Sequence, residues 1–301
     1  MTKNAIIMAA GKGTRMHSDL PKVLHKIMDE PMISLITSSL NKAGAERIVS
    51  IVGYGRDEVM KAMEGRCEFA VQDPQLGTGH AVMQAKQLEG EDGDTLVVNG
   101  DGPCISPATY KSLYDALKDA DMAVLTSIPE DARAYGRVIR REDGSVSRIV
   151  EYKDASEAER AVREVNMGSY AFDNRKMFEA LKELKNNNAQ NEYYITDLVA
   201  IFNAKGWKVA AVVAEDTEEV QGVNDNVELA KATAYLRDRI NLEWMKKGVT
   251  IMDPKTTYIG PDVEIGHDVM IYPNTYLLGH TKIKDGAVIL PGTMVKDETI
   301  A

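Results

Sequence analysis

Asn4-Ala5-Ile6-Ile7-Met8-Ala9-Ala10-Gly11-Lys12-Gly13-Thr14-Arg15 decides the fold. A short apolar run that stops in a glycine turn predicts a strand whose carboxyl end faces a nucleotide, the place where open α/β sheets bind ligands. Glycines let backbone N–H groups approach phosphate closely. Two familiar phosphate motifs are excluded: Met16 occupies the third glycine position of GxGxxG, and no GxxxxGK[ST] spacing occurs. What remains is a glycine turn with Lys12, Arg15 and Lys22 close by, suited to clamping a triphosphate through charge-assisted hydrogen bonds. The competing reading is a plain surface turn.

Outward from that turn, β-rich and amphipathic stretches alternate: 4–10 then 32–43, 47–52 then 57–63, 95–99 then 107–118. This alternation predicts βα units around a mostly parallel, Rossmann-like sheet. Residues 136–149 read as two strands around Asp143-Gly144, a hairpin inserted on the substrate side. Helical patterns at 175–184 and 194–205 bracket a polar loop, and a strand at 208–214 completes a domain expected to span residues 1–226. Residues 227–247, with Leu229, Leu236, Ile240 and Trp244 near helical spacing, predict a connecting helix packed on that first domain.

Beyond Gly248 the period changes. Ile259, Ile265, Ile271, Leu277, Ile283, Ile289 and Val295 recur every six residues, and Val263, Val269, Thr275, Thr281, Ala287, Thr293 and Thr299 form a second register. This is the pattern of a hexapeptide-repeat, left-handed parallel β-helix over 248–301, little more than two turns long.

The chain of 301 residues is 44% hydrophobic, enough for a sizeable core. With 36 Lys and Arg against 46 Asp and Glu, its formal net charge is −10, a bulk field that repels nucleic acid and anionic lipid. Cys67 and Cys104 lack disulfide-framework or zinc spacing, and the apolar N-terminal run is too short for a signal peptide. A cytoplasmic protein without a membrane span is expected.

Ala9 to Met16 followed by Leu20-Pro21-Lys22 resembles the signature of sugar-1-phosphate nucleotidyltransferases. Further matches narrow the resemblance to bacterial bifunctional N-acetylglucosamine-1-phosphate uridylyltransferases. They are Gln72 with Gln75-Leu76-Gly77-Thr78-Gly79-His80-Ala81, Gly100-Asp101, Tyr135-Gly136-Arg137, and Ile149-Val150-Glu151-Tyr152-Lys153-Asp154. Asn166 before Gly168, Asn187-Asn188-Ala189-Gln190 with Glu192-Tyr193-Tyr194-Ile195-Thr196-Asp197, and Gly222-Val223-Asn224 complete the set.

The resemblance implies transfer of a uridylyl group from UTP to N-acetylglucosamine 1-phosphate, giving UDP-N-acetylglucosamine and pyrophosphate with Mg2+ as cofactor, for cell-wall precursor synthesis. It implies that Ala9, Ala10, Gly11, Gly13, Gln72, Gly77, Thr78, Asn99 and Gly100 line the nucleotide, with the Ala9 to Gly11 backbone, the Gln72 side chain and Gly77 reading uracil. Arg15 and Lys22 would hold phosphates, and Asp101 with Asn224 would hold the metal. Gly136, Glu151 and Asn166 would receive the sugar, with Tyr194, Thr196 and Asn224 nearby. Arg15, Lys22 and Asp101 are the expected catalytic residues. His17, His25 and His80 are set aside as bases, because the attacking phosphate oxygen is already ionised at neutral pH.

This sequence departs from the family at Met8, where leucine is usual, at Asn99, where an aromatic residue is more common, and at Gly102 and Met167. Relatives also continue the β-helix and build an acetyltransferase site there, so no acetyl transfer is expected of this chain, and the homotrimer that the long β-helix supports stays open. Two rivals remain at this stage: a glucose-1-phosphate uridylyl- or thymidylyltransferase, and a catalytically dead nucleotide-sugar sensor.

Overall fold

In chain order the strands of the N-terminal part are β1 (Lys3–Ala9), the short pair β2 (Lys26–Ile27) and β3 (Glu30–Pro31), β4 (Arg47–Val52), β5 (Glu68–Val71), β6 (Asp94–Asn99), β7 (Met122–Ser127), β8 (Arg137–Arg140), β9 (Val146–Val150), β10 (Val165–Asp173) and β11 (Val209–Val213). The helices among them are α1 (Met32–Lys42), α2 (Arg56–Ala62), α3 (Thr78–Met83), α4 (Pro107–Ala116), α5 (Glu157–Arg160), α6 (Asn174–Leu181) and α7 (Leu198–Ala204). The structure is a computed structural model that describes residues 2–132 and 134–301. It divides into two units, Met1–Leu24 with Ile33–Gly222, and His25–Met32 with Val223–Ala301.

In the first unit the sheet runs β11-β7-β10-β6-β1-β4-β5, with β8 and β9 attached beside β10. β1 pairs in parallel with both β4 and β6, and β10 runs antiparallel between β6 and β7. The period-2 alternation of the strands sorts their side chains between two cores. Ala5, Ile7, Ile48, Val52, Leu96, Val98 and Leu125 face a layer supplied by α1, α2 and α4. Ile6, Val49, Ile51, Val97, Val124, Tyr170 and Phe172 face α3, α6 and α7. Both faces of the central strands are therefore covered, which explains their near-continuous apolar runs. The 136–149 hairpin forms as β8 and β9, and its Val138, Val146 and Ile149 join the second of these cores.

The second unit is built on helix α8 (Asn226–Lys246), capped by the Asp225 carboxylate on the N–H groups of Val227 and Glu228 at 2.9 and 2.8 Å. Three short parallel sheets follow: Thr250–Ile251, Met270–Ile271 and Val288–Ile289; Thr257–Ile259, Thr275–Leu278 and Met294–Lys296; Glu264–Ile265, Lys282–Ile283 and Thr299–Ile300. Thr257 pairs with Thr275 and Tyr276 with Met294, so three hexads make one turn of the β-helix. Ile259, Ile271, Leu277, Ile283 and Ile289 fill its axis, and Thr257, Thr275 and Thr281 are fully buried with hydroxyls on backbone carbonyls. The period tightens at the end, where Ile283 pairs with Ile300 rather than with residue 301.

Two features differ from the sequence expectation. Helix α8 lays Ile240, Trp244 and Met245 on the core of the hexapeptide coil, and its buried Asn241 donates to the carbonyls of Pro254 and Thr257, both at 2.8 Å. The hexad axis supplies the apolar surface that the helix covers, whereas a seat on the first domain was expected. The β2–β3 hairpin also groups with the coil, through an ion pair of Asp29 with Lys296 at 2.5 Å. No helix among the described residues is long and apolar enough to cross a membrane.

Ile271 is 0% exposed on the coil axis, so Ile271→Ala should destabilise the second unit by about 2–5 kcal/mol. Fluorescence of Trp244 in a Trp207→Phe background reads that unit, because Trp207 packs in the first. An unchanged denaturant midpoint would contradict this account of the coil core.

Candidate functional site

β1 and β6 end side by side, with Met8 opposite Asn99. The Gly100 N–H donates to the Met8 carbonyl at 3.0 Å, which brings the loop after β6 against the start of the glycine turn. The turn itself is a 3-10 helix at Thr14–Met16, with Arg15 exposed and Met16 buried at 1%. Gly13 has φ +65°, and a Cβ there would lie 2.5 Å from Lys22 Cβ, so only glycine lets the lysine stem cross this turn. Lys22 reaches over it and its Nζ binds Asp101 Oδ2 at 2.6 Å. Their side chains are 15% and 20% exposed, so an ammonium and a carboxylate 79 residues apart in sequence are held face to face at the carboxyl ends of the two central strands.

At the end of β5, Gln72 is 5% exposed. Its Nε2 donates to the Gly77 carbonyl at 2.9 Å and lies 3.2 Å from His80 Nδ1. Gln75, which the sequence motif contains but to which no role was assigned, donates from Nε2 to the Ala10 carbonyl at 2.6 Å. Gly53, Tyr54, Gln72 and Gln75 line a cavity of about 460 Å³. The segment with Gly77 and Thr78 is paired to the Tyr193–Thr196 region: Tyr193 N–H donates to Leu76 O, Gly79 N–H to Tyr193 O, and Ile195 N–H to Thr78 Oγ1 at 3.1 Å.

The residues expected at the sugar gather on the far side of that pairing. Thr196 Oγ1 donates to Glu151 Oε1 at 3.0 Å, and Gly136 leaves room beside both Glu151 oxygens. The Tyr194 hydroxyl donates to Asp154 Oδ2 at 3.3 Å and accepts from Gln190 at 2.9 Å, and burial lifts its pKa to about 12. Asn166 donates to the buried Tyr170 hydroxyl at 2.7 Å and accepts from the Gly168 N–H at 3.0 Å, at a register shift in β10. At that shift Gly168 has φ +69°, and a Cβ there would fall 1.9 Å from Asn99 Nδ2, so glycine is required where the Asn99 side chain lies. Asp154 and Gln190 are further polar groups that sequence reasoning quoted in motifs but gave no role.

Asn224 belongs to the second unit, where its N–H and Nδ2 donate to Glu228 Oε2 at 2.9 and 3.2 Å. Among the described residues no group of three or more His, Cys, Asp or Glu side chains is placed to hold a metal. A cation at Asp101 would therefore be completed by ligand oxygens and water, the coordination that magnesium prefers. The Lys22 ammonium already seated on that carboxylate shows that the position accepts a positive charge.

Burial raises the pKa of Glu151, with the carboxylates of Asp197, Asp154 and Glu192 adding to it and the Thr196 hydroxyl opposing. The folded chain then keeps the Glu151 proton to higher pH than the unfolded chain, so this group's contribution to stability is full below 4.5, its ordinary value, and is lost as pH rises through the folded value. Glu151→Gln should accordingly raise the unfolding midpoint at neutral pH, with the gain shrinking toward pH 4.5. A midpoint lowered at neutral pH would contradict it.

The nucleotidyl transferase family matches residues 4–245, and the bacterial transferase hexapeptide family, six repeats, matches residues 262–297. The bifunctional protein GlmU of an Exiguobacterium sp. strain is 48% identical over 100% of this chain and 67% of its own length. That of Exiguobacterium sibiricum is 47% identical over 100% and 68%, and that of Limosilactobacillus reuteri 45% over 100% and 67%. A solved UDP-glucose pyrophosphorylase complexed with UDP-glucose shares the fold, at 23% identity and a TM-score of 0.61 over 82% of this chain and 100% of that one. With its motifs, its two-part fold and these matches, the chain belongs to the bifunctional GlmU family of nucleotidyltransferases.

Proposed function

We propose that this chain transfers the uridylyl group of UTP to N-acetylglucosamine 1-phosphate in the cytoplasm, releasing pyrophosphate and forming UDP-N-acetylglucosamine. The observation that carries this reading is the Lys22–Asp101 pair at 2.6 Å, set at the carboxyl ends of β1 and β6 beside the glycine turn. A magnesium ion bound by Asp101 would neutralise phosphate charge and hold the α-phosphate of UTP for in-line attack.

Lys22 supplies a partly buried ammonium, and Arg15 an exposed guanidinium, for the phosphates. In a partly desolvated site such charges stabilise the transferring and leaving groups more than they would in water. The backbone of Ala9 to Gly11 is assigned to the uracil edges. The attacking oxygen of the sugar phosphate carries charge at neutral pH, so the chain needs no general base and its task is positioning. Gln72 with Gly77 and Thr78 is assigned to the uracil end. Glu151, Thr196, Asn166, Gly136 and Tyr194 are assigned to the sugar, joined to the nucleotide side through the 76–79 and 193–195 pairing. The part given to Asn224 rests on the family resemblance. The catalytic domain is taken as residues 1–226, the helix as 227–247 and the coil as 248–301. Outward apolar side chains on the coil, Tyr276, Val288, Leu290 and Met294, support self-assembly through it.

Magnesium-dependent pyrophosphate release from UTP should be fastest with N-acetylglucosamine 1-phosphate in a panel with glucose 1-phosphate and glucosamine 1-phosphate. A preference for glucose 1-phosphate would overturn the sugar assignment. Asp101→Asn should lower kcat on the order of 10²-fold or more at saturating magnesium. Full turnover by that variant would remove Asp101 from the metal.

A further inference from the structure

Gln72, assigned to the uracil, rests against His80, a residue to which the proposed chemistry gives no part. The Gly77 carbonyl can only accept a hydrogen bond, so the Gln72 group 2.9 Å from it is the amide nitrogen. That nitrogen can only donate, so His80 Nδ1, 3.2 Å away, accepts its second hydrogen and the neutral ring carries its proton on Nε2. Burial lowers the pKa of His80, which favours this neutral ring. Gln84 Nε2 lies 3.1 Å from His80 Nε2 and 3.0 Å from the His80 carbonyl. A neutral ring cannot accept from both amides. Gln84 keeps its nitrogen on the His80 carbonyl and, being half-exposed, can swing its second hydrogen off the ring, whereas Gln72 is buried, so the ring accepts from Gln72.

Both Gln72 amide hydrogens are then spent inside the protein. Among the described residues the carbonyl Oε1 is neither hydrogen-bonded nor sealed from solvent, and Gln72 lines the cavity of about 460 Å³ with Gln75 and Gly53. Gln72 can therefore offer a ligand only an acceptor. His80 lines a separate cavity of about 500 Å³ with Leu76, Leu184 and Tyr193, so it supports Gln72 from behind.

We propose that His80 is a positioning residue for base selection: by accepting from Gln72 Nε2, it holds Oε1 outward to receive the N3–H of uracil and disfavours cytosine, whose N3 is an acceptor. This rests on the assignment of Gln72 to the base. Without the Nδ1 acceptor, the Gln72 amide loses one of the two contacts that keep it from turning over, and a turned amide would donate to cytosine N3.

The test is the ratio of kcat/KM for UTP to that for CTP, with N-acetylglucosamine 1-phosphate and magnesium, in wild type, His80→Phe and His80→Asn. Asparagine can place a carbonyl oxygen near the Nδ1 position, whereas phenylalanine fills the space without an acceptor. Wild type should favour UTP. His80→Phe should lower the ratio about tenfold, and His80→Asn should keep it within about threefold. The nucleotide affinities of each variant, measured by calorimetry with UTP and CTP, give the same ratio should turnover be too low. An unchanged ratio in His80→Phe, or an equal loss in both variants, would overturn the role of His80. No preference for UTP in wild type would instead overturn the assignment of Gln72, and the inference with it.

Discussion

The parallel pairing of β1 with β6 sets the level at which both strands stop, and the site depends on it. Because Met8 lies opposite Asn99 and accepts from Gly100 N–H, the glycine turn and the loop carrying Asp101 leave the sheet together. Lys22 then needs only to cross Gly13 to reach Asp101. A one-residue slip of β6 would turn its buried side chains to the opposite layer and carry Asp101 away from the turn. The two apolar layers that forbid this slip are the same layers that make the sheet stable, so core packing and site geometry are one constraint.

A second chain of contacts extends the site away from the phosphate end. The 76–79 segment is stitched to residues 193–195, and from there Thr196 reaches Glu151 while Tyr194 reaches Asp154. Glu151 is kept in a partly buried place among other carboxylates, an arrangement that opposes its ionisation and that a ligand hydroxyl donating to it would offset. Gly168 brings the β10 bulge against the Asn99 side chain at the end of β6.

Much of this was legible in the residues. The apolar run before Gly11 announced β1, Asp143-Gly144 announced the β8–β9 hairpin, and the six-residue period announced the coil. Local pattern could not announce contacts across long sequence separations. Lys22 with Asp101, Gln75 with Ala10, and Asp29 with Lys296 join segments whose neighbourhood only the folded topology determines. Helix α8 was misjudged for a related reason: its apolar spacing shows that it has a buried face but not which surface covers it, and the hexad axis proved to be that surface. The role of His80 was hidden because it concerns which end of an amide faces outward, a matter of hydrogen-bond accounting rather than of motif.

The central claim is that nucleotide phosphates bind where Lys22 and Asp101 meet. A crystal structure of the protein with UTP and magnesium tests it most directly. The account predicts Lys22 turned from Asp101 onto a phosphate, a metal on Asp101, and the base against Gln72. Nucleotide bound elsewhere, with the Lys22–Asp101 pair still closed, would contradict it.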